Sequence, residues 1–128
     1  MKIKTLIIDD DEISIMLTDI CLKDSPFFQV IDTYLDGATA LENLKKEYSE
    51  DTTYVIILDI NMPLMNGWEF LEEIKDFASQ KNTSVFMLSS STDRLDIEKA
   101  ENIDLVKGFF SKPLKEEHLS QIQERMAN

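Results

Sequence analysis

Short apolar runs alternate with longer amphipathic segments along this chain, and the alternation repeats five times. The runs have the length and composition of strands, whereas the longer segments repeat apolar residues at helical spacing. The predicted strands span residues 4–9, 28–34, 54–58, 84–88 and 108–111. The predicted helices span residues 12–23, 38–47, 68–80, 95–102 and 114–126, and the polar residues 48–53 predict an exposed loop.

Regular alternation of strands and helices predicts an α/β fold, a doubly wound parallel sheet with helices on both faces. The first, third and fourth strands are almost wholly apolar, which is typical of strands buried on both faces. The second strand includes Gln29, Asp32 and Thr33, which suits an edge. We therefore expect five parallel strands in the order 2-1-3-4-5.

Four predicted strands end in residues that can take part in phosphate chemistry. These are Asp9, Asp10 and Asp11 after the first strand, Asp59 after the third, Ser89 to Ser91 after the fourth, and Lys112 after the fifth. Open α/β sheets place their sites at the carboxyl ends of their strands. The sequence thus predicts one pocket that combines carboxylates, a hydroxyl and an ammonium group.

Carboxylates gathered in one pocket repel each other unless one is protonated or a cation is bound. Oxygen ligands suit a hard ion such as Mg²⁺ or Ca²⁺. A carboxylate such as that of Asp59 can also be the nucleophile in phosphoryl transfer, with Lys112 and Ser89 as donors to the phosphoryl oxygens. The alternatives are a helix N-terminus for Asp9 to Asp11, a polar loop for the serines and a surface lysine for Lys112.

Bulk properties narrow the function further. The 128 residues suit one domain, and the formal net charge of −12 argues against nucleic acid as a ligand. The single cysteine, Cys21, forbids an internal disulfide and suits a reducing compartment. Apolar stretches of membrane-spanning length and space for a signal peptide are both missing, so we expect a cytoplasmic protein without membrane contact.

Helical spacing also assigns faces to the first helix. The spacing predicts that one apolar side faces the core, formed by Ile13, Met16, Leu17, Ile20 and Cys21. Ile15 points elsewhere, and we expect it to contribute to a docking surface. The only histidine, His118, lies among polar residues of the last helix and is predicted to be a solvated surface residue.

Four sequence blocks together resemble those of response regulator receiver domains. They are LIIDDD at residues 6–11, LDINMPLMNG at 58–67, MLSS at 87–90 and FSKP at 110–113. Their order and spacing match the family, and the resemblance covers essentially the whole chain. It implies a flavodoxin-like fold, in agreement with the strand order above. We expect residues 1–128 to form a stand-alone receiver domain without an output domain.

The resemblance implies that Asp59 accepts a phosphoryl group from a histidine kinase or a histidine phosphotransfer protein. Mg²⁺ would be bound directly by Asp10, Asp59 and the carbonyl of Asn61, and by Asp9 through a metal-bound water. Lys112 would pair with the phosphoryl group.

The resemblance also implies the parts of a switch. Ser89 would move to hydrogen-bond the phosphoryl group, and Phe109 would be the switch aromatic residue. The peptide bond between Lys112 and Pro113 would be cis. Ser89 replaces the commoner Thr, and Asn61 and Ser91 lie where the family tunes hydrolysis, so the sequence leaves the phosphoryl lifetime open.

Two other functions remain open at this stage. A phosphatase of the haloacid dehalogenase type also uses a strand-end Asp and Mg²⁺, but it usually has a second Asp two residues later, where this chain has Asn61. A pseudo-receiver that is never phosphorylated is disfavoured by the complete set of site residues. The downstream protein, and the choice between phosphoryl relay and terminal output, are not specified by the sequence.

Overall fold

The computed structural model describes residues 2–90 and 93–126, so Ser91 lies outside the described residues. Five strands and five helices alternate along the chain. The strands are β1 (Lys2–Ile8), β2 (Ile31–Tyr34), β3 (Thr52–Asp59), β4 (Thr83–Ser89) and β5 (Val106–Ser111). The helices are α1 (Glu12–Lys23), α2 (Gly37–Glu47), α3 (Gly67–Ile74), α4 (Arg94–Glu101) and α5 (Glu116–Arg125).

The sheet confirms the predicted topology. All neighbouring strands pair in parallel, and their order is β2-β1-β3-β4-β5. Strands β3 and β4 lie inside the sheet and are buried along their whole length, as their apolar sequences predict. The more polar β2 lies at one edge.

Alternate side chains of the central strands form two hydrophobic cores, one on each face of the sheet. In β3, Ile56 and Leu58 join a cluster with apolar residues of α2, α3 and α4. Val55 and Ile57 join the opposite cluster, which includes apolar residues of α1 and α5. The period-two alternation of a strand thus explains why helices cover both faces. No helix within residues 2–90 and 93–126 combines the length and apolar character needed to cross a membrane.

The predicted orientation of α1 is wrong for four of the five residues assigned to the core and right for Cys21. Thr18 and Leu22 are buried, whereas Ile15 and Cys21 are partly buried against the core. Four apolar side chains face solvent instead, namely Ile13, Met16, Leu17 and Ile20, which are 49–63% exposed. Hydrophobic spacing does not identify the buried side, because that side includes Thr18, whose hydroxyl donates to the carbonyl of Ser14 at 2.8 Å and is therefore satisfied inside the protein.

The amino ends of β3 and β4 are joined by a hydrogen-bonded network, so the predicted exposed loop at residues 48–53 is confirmed only in part. Glu50 and Asp51 are exposed, whereas Tyr48 is half-buried and Thr52 and Thr53 are buried in β3. The hydroxyl of Tyr48 donates to the side-chain oxygen of Asn82 and accepts the N–H of Ser79, each at 2.8 Å. The Tyr48 ring stacks on Tyr54, with 4.9 Å between the ring centroids. The side chain of Asn82 donates to the carbonyl of Thr52 at 2.9 Å. These contacts fix the segment around Tyr48 against the amino ends of β3 and β4.

Two helices are shorter than the periodicity predicts. Helix α3 ends at Ile74 rather than near Gln80. The chain there turns so that Phe77 makes an edge contact with Tyr48, whose hydroxyl accepts the N–H of Ser79. Helix α5 begins at Glu116, and buried Leu114 lies in the irregular segment between Pro113 and the helix.

Candidate functional site

The carboxyl ends of two neighbouring strands bring the predicted acidic residues together. Asp9 follows β1, and Asp59 is the last residue of β3, the neighbouring strand. Carboxylate oxygens of Asp9, Asp10 and Asp59 all lie within 4.8 Å of one another. Asp9 and Asp59 are 2% and 5% exposed, whereas Asp10 is exposed. Two carboxylates of the cluster are therefore buried in close proximity.

Lys112 supplies a positive charge to this cluster. Its ammonium nitrogen lies 2.8 Å from Oδ2 of Asp9 and 3.5 Å from Oδ2 of Asp59. The backbone N–H of Lys112 donates to the carbonyl of Ser89 at 2.7 Å, which fixes the end of β5 against the end of β4. The peptide bond from Lys112 to Pro113 is cis, which confirms that prediction.

The electrostatics of the cluster are dominated by burial. Burial and the neighbouring charge of Asp9 raise the pKa of Asp59 to about 6, although Lys112 and the backbone N–H of Asn61 favour its ionised form. Burial alone would lower the pKa of Lys112, but its bonds with Asp9 and the charge of Asp59 raise it overall. Lys112 therefore stays charged, and Asp59 is more basic than an ordinary aspartate.

The loop after β3 is packed tightly against Asp59. The N–H of Gly67 donates to the carbonyl of Ile60 at 2.8 Å. A Cβ atom at position 67 would lie 2.7 Å from the backbone oxygen of Asp59, so only glycine fits here. Asn66 caps α3 reciprocally with Glu69, since each side chain accepts the other residue's backbone N–H. The start of α3 is thereby fixed relative to Asp59.

The other predicted site residues have different surroundings. Ser89 is fully buried at the end of β4, next to Ser111 of β5. Asn61 is exposed, and its backbone N–H contacts the carboxylate of Asp59. Phe109 is partly buried against the core cluster on the face covered by α2, α3 and α4. The assigned roles of these residues remain predictions.

Sequence reasoning missed Ser14. This residue lies in the first turn of α1, and its hydroxyl donates to Oδ2 of Asp9 at 2.6 Å. Ser14 lies between Ile13 and Ile15, and the sequence pattern around it indicates an amphipathic helix without pointing to a contact between Ser14 and Asp9. The available signal was the separation of five residues from Asp9, which places Ser14 in the first turn of the helix that follows the strand end.

A surface cavity of about 300 Å³ connects this region with α1. Its lining includes Ile13, Ser14 and Leu17 of α1, together with Lys112 and Pro113. The exposed apolar side of α1 and the acidic cluster are thus neighbouring parts of one surface.

Comparison with known proteins is consistent with this site. The family model described as "Response regulator receiver domain" matches residues 5–124. A protein-glutamate methylesterase/protein-glutamine glutaminase from Methanococcoides burtonii is 31% identical over 97% of this chain. The chain spans only 34% of that relative's length.

Solved structures show the same fold. A two-component response regulator from Cytophaga hutchinsonii superposes with a TM-score of 0.88 and 32% identity, covering 96% of this chain and 95% of that one. A response regulator receiver protein from Dyadobacter fermentans gives a TM-score of 0.86 and 26% identity, with 96% of each chain covered.

Proposed function

Because this chain belongs to the response regulator receiver domain family, we propose that it is a phosphoacceptor switch in which Asp59 receives the phosphoryl group. The observation that carries the proposal is the convergence of Asp9, Asp10, Asp59 and Lys112 from three strand ends. A buried carboxylate beside an ammonium and further carboxylates has the composition of a phosphoryl-transfer site.

The reaction is a transfer from phosphohistidine to aspartate. A carboxylate oxygen of Asp59 attacks the phosphorus, the new P–O bond forms, and the P–N bond to the donor imidazole breaks. The imidazole leaves with the electron pair of that bond and, with one proton taken up from solvent, becomes neutral histidine. At neutral pH Asp59 is ionised, because its pKa is about 6. The donor is a histidine kinase or a histidine phosphotransfer protein.

Lys112 and Ser89 stabilise the phosphorylated state. The Lys112 ammonium already lies 3.5 Å from Asp59, so it is placed to pair with an added phosphoryl oxygen. Ser89 ends β4, the strand next to β3, at the same edge of the sheet as Asp59, and its hydroxyl would supply a further donor to the phosphoryl group. The dianionic group thus favours one arrangement of the loops after β4 and β5, and this difference in affinity drives the switch.

The residues fit a divalent cation. Three carboxylates face one ammonium, which leaves excess negative charge in a partly buried cluster of oxygen ligands. Asp10, Asp59 and the carbonyl of Asn61 would bind Mg²⁺ directly, and Asp9 would act through a bound water. Mg²⁺ would supply charge neutralisation for the phosphoryl oxygens.

The output surface lies on α4, β5 and α5. Phe109 lines a surface cavity of about 400 Å³ together with Ile97, Val106 and Arg125. A change in the packing of Phe109 would alter the shape of this cavity, and with it the affinity for a downstream protein. The domain would act either through such a partner or by passing the phosphoryl group onward.

The phosphodonor docks on the exposed apolar side of α1 rather than on Ile15. Ile15 packs against the core, whereas Ile13 and Leu17 are exposed and line the cavity that reaches Lys112. A protein bound there would cover apolar surface and bring its phosphohistidine close to the acidic cluster.

The decisive experiment is incubation with Mg²⁺ and acetyl phosphate or phosphoramidate, followed by intact mass measurement. We expect one phosphoryl adduct, which is lost in Asp59→Ala and after chelation of the metal. A folded wild-type protein without an adduct would contradict the proposal. Repeated turnover of a phosphate monoester would favour a haloacid dehalogenase-type phosphatase, although Asn61 lacks the acid–base group that this reaction needs.

A further inference from the structure

Asp9 is held by three hydrogen-bond donors from different parts of the chain. The backbone N–H of Asp11 donates to Oδ1 at 3.0 Å. Ser14 donates to Oδ2 at 2.6 Å, and the Lys112 ammonium donates to the same oxygen at 2.8 Å. Since Asp9 is 2% exposed, these protein groups replace the water that would otherwise solvate its charge.

Ser14 is itself held in place. The hydroxyl of buried Thr18, one turn later in α1, donates to the carbonyl of Ser14 at 2.8 Å. The Ser14 side chain is partly buried, so its bond to a carboxylate is short and shielded. Hydrogen bonds to a charged group are stronger than those between neutral groups.

The proposed function changes the partners of Asp9. When Lys112 turns to a phosphoryl group on Asp59, Asp9 loses its 2.8 Å partner. Ser14 then remains as the side-chain donor to Oδ2, with the N–H of Asp11 on Oδ1. A buried carboxylate deprived of both Oδ2 donors would carry the cost of an unsatisfied charge.

We propose that Ser14 is a positioning residue, which holds the Asp9 carboxylate in the orientation needed for Mg²⁺ binding and frees Lys112 to move to the phosphoryl group. The inference rests on the proposed function, and it deepens that function by adding an α1 side chain to the site. Groups that orient metal ligands typically contribute about 10–100-fold to metal affinity.

The test is a Mg²⁺ titration of the full chain without any phosphodonor, measured by calorimetry and by the NMR resonance of the Asp11 amide. We expect Ser14→Ala to weaken Mg²⁺ binding about tenfold, at the lower end of the effect of such orienting groups. The Asp11 amide resonance should also move before metal is added, because its acceptor is Asp9. Ser14→Thr keeps the hydroxyl and should restore both properties.

Two matched controls separate positioning from stability. Ser120→Ala removes another serine hydroxyl of a helix, which donates to the Glu117 carbonyl on α5, and should change neither Mg²⁺ affinity nor the Asp11 resonance. If Ser14→Ala does not fold, Ser14→Cys replaces it with a group of similar shape and weaker donor strength, and the same losses are expected in smaller measure.

The outcomes are distinguishable. Wild-type Mg²⁺ affinity and an unmoved Asp11 resonance in folded Ser14→Ala would overturn the role of Ser14. The same result in Ser14→Cys would overturn it if Ser14→Ala is unfolded. Wild-type protein that neither binds Mg²⁺ nor accepts phosphoryl from acetyl phosphate would instead overturn the proposed function.

Discussion

The Lys112 ammonium lies closer to Asp9, at 2.8 Å, than to the phosphoacceptor candidate of the neighbouring strand, at 3.5 Å. Its removal leaves two buried carboxylates facing each other. We expect Lys112→Met to lower the free energy of unfolding by roughly 2 kcal/mol, less than for a fully buried pair because the ammonium is partly exposed. Urea unfolding at neutral pH would measure this loss.

Added Mg²⁺ provides the control for that variant. A cation in the cluster replaces the missing positive charge, so Mg²⁺ should stabilise Lys112→Met more than it stabilises the wild type. Equal stabilisation of the two proteins would show that Lys112 does not compensate the carboxylates.

Asp59 is expected to reduce stability at neutral pH in the absence of metal. Its folded pKa of about 6 exceeds its ordinary value of 3.8, so the folded state binds more protons than the unfolded state between these values. The contribution of this group to stability is therefore greatest below pH 3.8 and is lost as the pH rises through 6. Asp59→Asn should be more stable than the wild type at pH 7.5, by about 1–2 kcal/mol.

The pH series checks the sign of this effect. The difference between Asp59→Asn and the wild type should shrink as the pH falls from 7.5 to 4, measured by denaturant unfolding in the presence of chelator. A difference that stays constant with pH would mean that charge at position 59 is not its cause.

Gly67 should tolerate no side chain. Gly67→Ala places a Cβ atom 2.7 Å from the backbone oxygen of Asp59, so the loop and the start of α3 must move. We expect a loss of about 1–3 kcal/mol in stability, as for overpacked sites, together with slower phosphorylation by acetyl phosphate. Gly37→Ala is the matched control, because its nearest contact is the flexible side chain of Met65 at 3.3 Å, and its effect should be small.

The exposed apolar side of α1 is expected to affect the rate of phosphoryl transfer from a protein donor but not from a small-molecule donor. Leu17→Glu puts a charge on an apolar docking surface, and it should slow transfer from the cognate histidine kinase at least tenfold. Labelling by acetyl phosphate should stay unchanged, because this small donor needs no docking surface. Leu95→Glu, at a 72% exposed leucine of α4, should leave kinase transfer intact. Equal kinase transfer by Leu17→Glu and wild type would refute docking on α1.

His118 is expected to make α5 sensitive to acid. The structure corrects its prediction as a solvated residue, since its ring stacks on Phe110 with 4.6 Å between the centroids and its Nδ1 accepts the N–H of Lys115 at 3.0 Å. Burial lowers the pKa of His118 below 6.5, although the charge of Glu117 opposes the shift. Its contribution to stability is therefore present above pH 6.5 and is lost as the pH falls through the lowered folded pKa.

An NMR titration of the His118 ring would give this pKa directly. His118→Phe keeps the ring contact with Phe110 but does not titrate, so its stability should vary less between pH 7 and pH 5 than that of the wild type. The same pH dependence in both proteins would exclude His118 as the source.

Strand ends were readily predicted from the sequence. Asp9, Asp59 and Lys112 each follow an apolar run, and a parallel sheet places the ends of such runs at one edge. The strand order followed from the apolar character of β1, β3 and β4 and the polar character of β2. The positions of the strand ends and the strand order could be predicted because both depend on apolar and polar runs that are visible along the chain.

Side-chain contacts across elements were not predictable in the same way. Ser14 and Thr18 have polar side chains that are satisfied inside the protein, so the hydrophobic pattern assigned the wrong face of α1 to the core. Tyr48 was assigned to an exposed loop because its partners, Asn82 and Ser79, lie more than 30 residues away. Such bonds become visible only once the fold brings distant segments together.

The tyrosine network at the amino ends of β3 and β4 lies at the opposite edge of the sheet from the acidic cluster. Contacts that hold the strands together are therefore concentrated at their amino ends, and the candidate functional groups at their carboxyl ends. Substitutions in the loops around the acidic cluster would leave the contacts of Tyr48, Tyr54 and Asn82 unchanged, because none of these contacts involves those loops. A protein organised in this manner can acquire a different specificity without endangering its architecture.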